Sequence, residues 1–390
     1  MNALRQIAAA TAMSLRTIPE RLGGSLVIVV GMAAVVAVVI SVLSMSTSFL
    51  DSVHRASNPD RAIVTTASSV NQTTSRLSRD AVSLVMQSPG VKKGADGKPI
   101  ASAELFTNLP LTKTGDGGAG NVPLHGAQPE AFVVVPEIRI VEGRMFKPGL
   151  RELIVGRLAQ PQFYGLNIGD KVTLPDGKWE IVGVFESNQG DTRESDLKGD
   201  AETIMSAYRR SDFNSVTVRL ESAAAFDTFR DALTANPALA VDVMREDAYF
   251  EKLAKPLNDY LELIAYAVGS IMALGAMFGA LNTMYSAVSA RTREIATLRA
   301  LGFGSAAVMI SVLIEALLLS LLGAMIGAGL AWLFFDGRVA VSGWAVFMLS
   351  IGPPLLALGV AWAVGIGLIG GFFAALRAVR LPIVSALRAT

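Results

Sequence analysis

Four long apolar segments limit the possible fold more than any other feature of this sequence. They cover residues 24–46, 261–285, 306–335 and 344–374, and the only charged residues in them are Glu262 and Glu315. A membrane-spanning helix needs roughly 20 apolar residues to cross a hydrocarbon core of about 30 Å. The chain is therefore predicted to be an α-helical integral membrane protein with four transmembrane helices.

The composition agrees with this prediction. Of the 390 residues, 52% are hydrophobic and 17% are charged, whereas a typical soluble domain carries about 25% charged residues. The net charge of +1 does not indicate a nucleic-acid partner. The sequence contains no cysteine, which excludes disulfides, thiolate metal ligands and thiol nucleophiles within it. A domain outside the membrane must therefore be stabilised by its apolar core.

The placement of arginine predicts the orientation, because short cytoplasmic loops collect Lys and Arg. Segments 1–23, 286–305 and 375–390 are basic, whereas the short loop 336–343 is not. The arginines concerned are Arg5, Arg16, Arg21, Arg291, Arg293, Arg299, Arg377, Arg380 and Arg388. Both termini are thus predicted to be cytoplasmic, with residues 47–260 outside. A cleaved signal peptide is the alternative for the first span, but its apolar run exceeds the usual length of about 7–15 residues.

The outside segment is predicted to be a large mixed α/β domain inserted between the first and second spans. Asp176-Gly177 separates two apolar runs, which predicts a hairpin in a small β-rich subdomain over about 137–210. A strand at 215–220, a helix at 223–235 and a strand at 241–244 predict a second subdomain, split in sequence, with its first half near 61–90. In that helix Phe226, Phe229 and Leu233 share one face. The glycine-rich stretch 94–126 is predicted to be a loop.

Two further helices are predicted beside the membrane. The first is an interfacial helix within residues 1–23, with an apolar stripe formed by Leu4, Ile7, Leu15, Ile18 and Leu22. The second is a stalk that continues into the second span, with apolar residues at Phe250, Leu253, Leu257, Leu261 and Ile264. The stalk would make the outside domain and the span one mechanical unit. The alternative is that both are ordinary packed helices.

Three motifs carry a resemblance to a known family. The loop after the second span reads Arg291-Thr-Arg-Glu-Ile and then Arg299-Ala-Leu-Gly, and Glu315 follows in the third span. The chain ends with Pro-Ile-Val-Ser-Ala-Leu-Arg at 382–388. Together these resemble the permease part of the family that includes the macrolide exporter MacB, the lipoprotein-release proteins LolC and LolE, and the cell-division protein FtsX. Residues 152–186 also resemble the small β subdomain of that family.

The resemblance implies a permease of a mechanotransmitting (type VII) ABC transporter in the bacterial inner membrane, with a periplasmic domain. Unlike the macrolide exporter, this sequence contains no Gly-x-x-x-x-Gly-Lys-Ser/Thr motif; Gly94-Ala-Asp-Gly-Lys-Pro is too short. We therefore expect no enzymatic activity and no cofactor in this chain, with ATP and Mg²⁺ bound by a separate ABC ATPase subunit. The resemblance also implies a dimer with a second permease copy or a paralogue, contact with membrane lipid, and a periplasmic adaptor as a further candidate partner.

The segment from Arg291 to Leu301 is the candidate ATPase-coupling site. Its apolar residues Ile295, Leu298 and Leu301 fall at helical spacing, and its charged residues are Arg291, Arg293, Glu294 and Arg299. Such a short amphipathic helix can dock in a groove of a partner. The alternative is a basic loop that only enforces topology. The resemblance favours docking, and loss of ATPase association on replacing Glu294 and Arg299 would be its test.

Glu315, three glycine pairs and the two histidines are further candidate sites. Glu315 lies about 13 Å into its span, where an acid is costly and is a functional candidate by default; a structural polar contact is the favoured alternative. Three small-xxx-small pairs, Gly275/Gly279, Gly323/Gly327 and Gly367/Gly371, predict close helix packing, with one pair available for a dimer seam. His54 and His125 are 71 residues apart and have no ligand at metal-binding spacing, so neither a metal site nor a catalytic site is predicted.

Three functions follow as hypotheses. The leading one is a transport permease that couples ATP hydrolysis by a separate subunit to motion of the periplasmic domain, driving export or extraction. The alternative is an FtsX-like transmembrane regulator of a periplasmic cell-wall enzyme, which the larger outside domain disfavours. A receptor or scaffold without transport is disfavoured by the coupling-loop motif. The sequence does not identify the cargo.

Overall fold

The computed structural model describes residues 6–8, 11–13, 22–115, 117–187, 191–301, 303–342 and 345–380. The chain divides into two compact units. We call them the helical unit (Met1–Ser46, Asp259–Arg338 and Leu349–Thr390) and the sheet unit (Thr47–Asn258 and Val339–Met348). Most of the predicted interfacial helix, including Leu4, Leu15 and Ile18, lies outside the described residues.

The helices and strands of the described residues are as follows. The helices are α1 (Leu22–Ala56), α2 (Arg79–Met86), α3 (Ala131–Val134), α4 (Ala201–Ala207), α5 (Phe226–Thr234), α6 (Glu246–Ala290), α7 (Thr292–Ala300), α8 (Ser305–Phe335) and α9 (Pro353–Arg380). The strands are β1 (Arg61–Thr66), β2 (Ala101–Thr112), β3 (Ala119–Ala127), β4 (Arg139–Gly143), β5 (Glu152–Gly156), β6 (Lys171–Leu174), β7 (Gly177–Glu186), β8 (Leu197–Asp200), β9 (Ser215–Arg219), β10 (Val241–Arg245), β11 (Val339–Ser342) and β12 (Ala345–Met348).

Four helices are long and apolar enough to cross a membrane: α1, α6, α8 and α9, with 35, 45, 31 and 28 residues. These helices and the mixed α/β sheet unit confirm the predicted fold class. Helix α6 contains the predicted stalk residues and the second apolar segment in one continuous helix, which would be about 68 Å long at 1.5 Å per residue. Pro256 lies inside this helix and removes one backbone hydrogen bond from it.

The sheet unit is built on one mixed sheet with the strand order β10-β1-β9-β2-β3-β8-β5-β7-β4, with β6 paired to β7. Strands β6 and β7 form the hairpin predicted at Asp176-Gly177, with Leu174 opposite Gly177. Strand β1 pairs with both β9 and β10, so segment 61–66 returns to the strands near residues 215–245, as the split arrangement predicted. Phe226, Phe229 and Leu233 of α5 are buried, which confirms their shared face.

The glycine-rich stretch 94–126 was predicted to be a loop, and this was wrong. It contains the long hairpin of β2 and β3, in which Phe106 lies opposite His125. Glycine is needed here for close packing as well as for turning. A Cβ on Gly126 would lie 3.0 Å from both the Ala201 Cα and the Leu105 Cβ atoms. A sequence scan interprets such glycines as loop signals, because it cannot distinguish close approach from flexibility.

The fourth span was predicted to begin at residue 344, but its helix begins at Pro353 and extends to Arg380. Residues 339–342 and 345–348 form the paired strands β11 and β12, where the prediction placed a short loop and the start of the fourth span. The apolar run is continuous from the strand into the helix, and periodicity alone does not separate a short buried strand from a helix. Pro353 and Pro354 occupy the first turn, where proline is favoured at a helix start.

Candidate functional site

The coupling-site candidate of the sequence is helix α7, which connects α6 to α8. Helix α6 ends at Ala290, Arg291 breaks the helical conformation with φ −103° and ψ 12°, and α7 then runs from Thr292 to Ala300. Glu294 lies in the first turn and Arg299 in the last. This order of charges is favourable because the helix macrodipole attracts an anion at its N-terminus and a cation at its C-terminus.

The apolar residues of α7 do not form one outward-facing stripe. Ile295 is buried and belongs to a cluster to which all four spans contribute. The members include Ile28, Val29, Met284, Val288, Val308, Val312, Ala374 and Ala375. Leu298 is half-buried, whereas the side chain of Leu301 is 73% exposed. The sequence pattern thus identified the apolar positions but not the fact that Ile295 packs within its own chain.

Arg291 connects α7 to the neighbouring span. Its Nε atom donates to the Glu294 carboxylate at 3.0 Å, and its Nη1 atom lies 3.5 Å from a carboxylate oxygen of Glu315 in α8. The Arg291 and Glu315 side chains are 10% and 9% exposed, whereas that of Glu294 is 58% exposed. The intramembrane acid therefore has a cationic partner supplied by the loop. No local sequence pattern indicates this pair, because its members are 24 residues apart and on different elements.

Arg299 connects the other end of α7 to α9. Its Nη1 atom donates to the Val379 carbonyl at 2.9 Å, close to the end of α9 at Arg380. The predicted C-terminal motif at 382–388 lies outside the described residues. Arg293 and Glu294 are exposed, as is Leu301. We call these three residues the outer face of α7.

The glycine pairs divide into two kinds. Gly323 and Gly327 of α8 lie against the backbone of α1, and a Cβ on Gly323 would lie 2.6 Å from the Val29 carbonyl oxygen. Gly367 and Gly371 of α9 lie against α8, where a Cβ on Gly371 would lie 2.7 Å from the Ala316 Cβ atom. These four glycines therefore permit close helix approach within the chain.

The third pair, on α6, is open. A Cβ on Gly275 would meet nothing within 4 Å among the described residues, and one on Gly279 would meet only the Val27 side chain at 3.9 Å. The nearby side chains of Ile271, Leu274 and Phe278 are more than half exposed. Of the four spans, that of α6 buries the smallest share of its residues within the described structure. This side of α6 is therefore available for lipid or another helix.

Comparison with known families identifies the family to which the chain belongs. A family model described as the MacB-like periplasmic core domain matches residues 25–236, which is more than half of the chain. A second, described as the FtsX-like permease C-terminal region, matches residues 266–383 and includes α7. The chain is an ABC-transporter permease of the MacB/FtsX family. It crosses the membrane and carries an extracytoplasmic domain.

The chain is also similar to two named proteins and to one solved structure. The permease is 26% identical over 276 residues to the ABC transporter permease YknZ of Bacillus subtilis, covering 66% of this chain and 68% of that protein. It is 37% identical over 147 residues to the macrolide export ATP-binding/permease protein MacB of Rhodopirellula baltica. That alignment covers 34% of this chain and 21% of the MacB chain. The crystal structure of the extracellular domain of YknZ matches 47% of this permease and 99% of that chain, with 16% identity and a TM-score of 0.36.

Proposed function

We propose that this permease transmits ATP-driven motion from a separate ABC ATPase subunit on the cytoplasmic side to its periplasmic domain, driving export or extraction of a substrate. In this proposal it lies in the bacterial inner membrane with both termini in the cytoplasm. It acts as a dimer with a second copy or a paralogue, and the ATPase binds ATP and Mg²⁺. The observation that carries the proposal is the anchoring of α7 to the spans while its outer face stays exposed.

The anchoring suits force transmission because α7 is held at three points. The Arg291–Glu315 pair holds its start to α8, Ile295 packs in the cluster shared by all four spans, and Arg299 holds its end to α9. A push on α7 would therefore move several spans together instead of bending a loose loop. Close-packed interiors transmit displacement because they have few voids in which to absorb it.

The outer face offers the chemistry for docking. It presents one cation, one anion and one large apolar side chain, namely Arg293, Glu294 and Leu301. A short helix with this surface can be recognised by a partner groove through an apolar anchor and flanking charges. Arg299 is less suited to that role because it is bonded to the Val379 carbonyl.

Co-purification tests this proposal. The permease would be isolated from its native membrane, and the ABC ATPase retained by the wild-type chain would be identified and quantified. Replacing Arg293, Glu294 and Leu301 by alanine is expected to reduce the retained ATPase at least tenfold. The matched control is Arg338→Ala, an exposed arginine beyond the other end of α8. No ATPase with the wild-type chain, or equal retention by the triple variant, would contradict the coupling role.

The orientation can be tested independently of any partner. Because the sequence has no cysteine, single cysteines at Leu301 and Arg338 can be labelled in intact cells with a membrane-impermeant maleimide. In the proposed topology Arg338→Cys reacts from outside, whereas Leu301→Cys reacts only after the membrane is permeabilised. The reverse pattern would place α7 on the wrong side for an ATPase and would reject the proposal.

A further inference from the structure

A cavity of about 210 Å³ lies within the sheet unit. One wall is a single face of the sheet, because directly paired residues of neighbouring strands point to the same side. The pairs Ile63–Thr217, Phe106–His125 and His125–Lys198 put these residues in the same face across β1, β9, β2, β3 and β8. The sequence did not predict this cavity, since its residues come from distant segments.

The other walls are largely apolar. They are formed by α3 and the loop after it, by the first turns of α6 and by the turns at 71–73 and 192–196. The apolar side chains there are Phe132, Val135, Ile138, Tyr249, Phe250 and Leu253. Binding sites for small molecules combine such a lining with a few placed polar groups, and sites for drug-sized ligands have volumes of about 300–1,000 Å³. This cavity is smaller, so its ligand would be small.

Two pairs of opposite charge line the cavity, Arg193 with Glu246 and Lys198 with Asp196. Arg193 donates to Glu246 at 2.8 Å and lies 3.4 Å from Asp191, and Glu246 also pairs with Arg61. Lys198 lies 3.7 Å from Asp196, and its ammonium sits 5.6 Å from the centre of the Phe185 ring. Phe185 is on β7, on the side of β8 away from β2.

Glu104 on β2 is the remaining charged group. Its carboxylate lies 3.6 Å from the His125 Nδ1 atom, which is beyond hydrogen-bond length. That Nδ1 atom is buried and has no hydrogen-bond partner among the described residues, while the Nε2 atom lies 3.2 Å from Asp196. Burial by itself would raise the pKa of Glu104, but His125, Lys198 and Arg193 lower it below its usual value. The Glu104 carboxylate is thus ionised at neutral pH.

We propose that this cavity binds a small organic cation, with its ammonium group donating to Glu104 and its apolar body lying against Phe106 and the apolar walls. An ammonium would form a charge-assisted hydrogen bond with this half-buried carboxylate, which has the His125 ring nitrogen 3.6 Å away. The surrounding aromatic rings would stabilise the same charge through their faces. A neutral or anionic ligand of the same shape would not form this ion pair with Glu104. The site lies in the sheet unit and does not depend on the function proposed for α7.

The first test uses the wild-type, full-length permease in lipid nanodiscs. Isothermal titration calorimetry would measure binding of three amines: 2-phenylethylamine, cyclohexylmethylamine and butylamine. Two neutral or anionic analogues, 2-phenylethanol and 3-phenylpropanoate, would be compared with them. At least one amine is expected to bind saturably, and to bind at least tenfold more tightly than either analogue. Binding of none of the amines, or equal or tighter binding of the alcohol or the carboxylate, would overturn the proposal.

The second test locates the binding. Glu104→Gln keeps the shape of the side chain and is expected to weaken amine binding about tenfold or more, because a charge-assisted hydrogen bond becomes a neutral one. Glu142→Gln removes an exposed carboxylate of β4 and should leave the affinity unchanged. Phe250→Ala, which opens the apolar wall, should also weaken binding and serves if Glu104→Gln fails to fold by circular dichroism. Unchanged affinity in a folded Glu104→Gln or Phe250→Ala variant would show that the amine binds elsewhere.

Discussion

At the scale of single residues, Arg291 is the side chain on which the proposed coupling site depends most. It lies where α6 ends and α7 begins, between the exposed carboxylate of Glu294 on α7 and the buried carboxylate of Glu315 on α8. An acid inside a span is costly unless it has a partner, and an arginine can satisfy two carboxylates through its several donors. The pair therefore stabilises a charge within the helical unit and also fixes the position of α7.

The first prediction concerns this pair. Arg291→Gln and Glu315→Gln should each destabilise the permease by about 1–3 kcal/mol, because each leaves a buried charge with one partner fewer. The double variant should lose less stability than the two single variants together, since the contact can be lost only once. Thermal unfolding in detergent would measure the effects, with the exposed Arg293→Gln as control. Strictly additive losses would show that the two side chains do not interact.

A second prediction concerns acid stability of the sheet unit. The Glu152 carboxylate accepts from both terminal nitrogens of Arg144 at 2.6 and 2.7 Å, and these bonds hold its pKa below the ordinary value of 4.5. A carboxylate whose pKa is lower in the folded than in the unfolded state stabilises the fold at any pH above its unfolded-state pKa. This stabilisation is lost as the pH falls through the folded-state pKa. The midpoint temperature of thermal unfolding should therefore decrease as the pH falls below about 4.5. Glu152→Gln should reduce this pH dependence and Glu142→Gln should not; equal slopes would contradict the assignment.

The sequence could predict part of the candidate coupling site and none of the cavity. The Arg-x-Arg-Glu-Ile pattern and the charge order of α7 are local, so they were visible without a structure. The contact of Arg291 with Glu315 joins two elements, and Ile295 is buried by spans that are far away in the chain. No ligand lies near His125 in the sequence, but Glu104 and Asp196, which are 3.6 and 3.2 Å from its ring nitrogens, come from a different strand and from the turn before β8. Local patterns indicate helices and strands but not which distant side chains meet.

At the scale of elements, the glycines divide the spans into packed and open surfaces. Gly323 and Gly327 let α8 approach the backbone of α1, and Gly367 and Gly371 let α9 approach α8. The face of α6 around Gly275 and Gly279 has no such neighbour among the described residues. Hydropathy predicted all four spans because each contains an apolar run of roughly 20 residues or more. It could not assign these faces, since each pair has the same sequence signature.

The third prediction distinguishes these surfaces. Gly323→Leu should destabilise the permease by about 1–3 kcal/mol or prevent its folding, because the new side chain collides with Val29 and Met32. Gly275→Leu should leave the unfolding midpoint within experimental error. If a second copy sits on this face in the proposed dimer, Gly275→Leu should instead lower the dimer fraction in chemical cross-linking of native membranes. A stability loss for Gly275→Leu as large as that for Gly323→Leu would contradict the division.

At the scale of the whole molecule, the sheet unit is assembled from two separate stretches of chain. Residues 47–258 supply most of it, and the hairpin 339–348 between α8 and α9 supplies the rest. Phe347 of β12 is fully buried, and its ring centre lies 5.3 Å from that of Phe49. Strand β12 also lies against the turn Thr192–Ser195. The sequence missed this hairpin because its apolar residues merge with those of the fourth span.

The fourth prediction follows from that assembly. Phe347→Ala in the full permease should destabilise the sheet unit by about 3–5 kcal/mol, the usual cost of removing a buried phenylalanine ring. Limited proteolysis would measure this as faster cleavage within residues 47–258. Met348→Ala, a partly exposed neighbour on the same strand, should have a much smaller effect. Equal cleavage of the wild-type protein and Phe347→Ala would show that the hairpin contributes little.

The hairpin also limits how this protein can be recombined with its relatives. A chimera that exchanges only residues 47–258 would combine one parent's Phe49 with the other parent's β12, and the ring contact would meet a surface of foreign shape. Residues 339–348 must therefore be inherited together with residues 47–258, although the second and third spans lie between them in the sequence. For domain-exchange experiments, the transferable module consists of two fragments and not one.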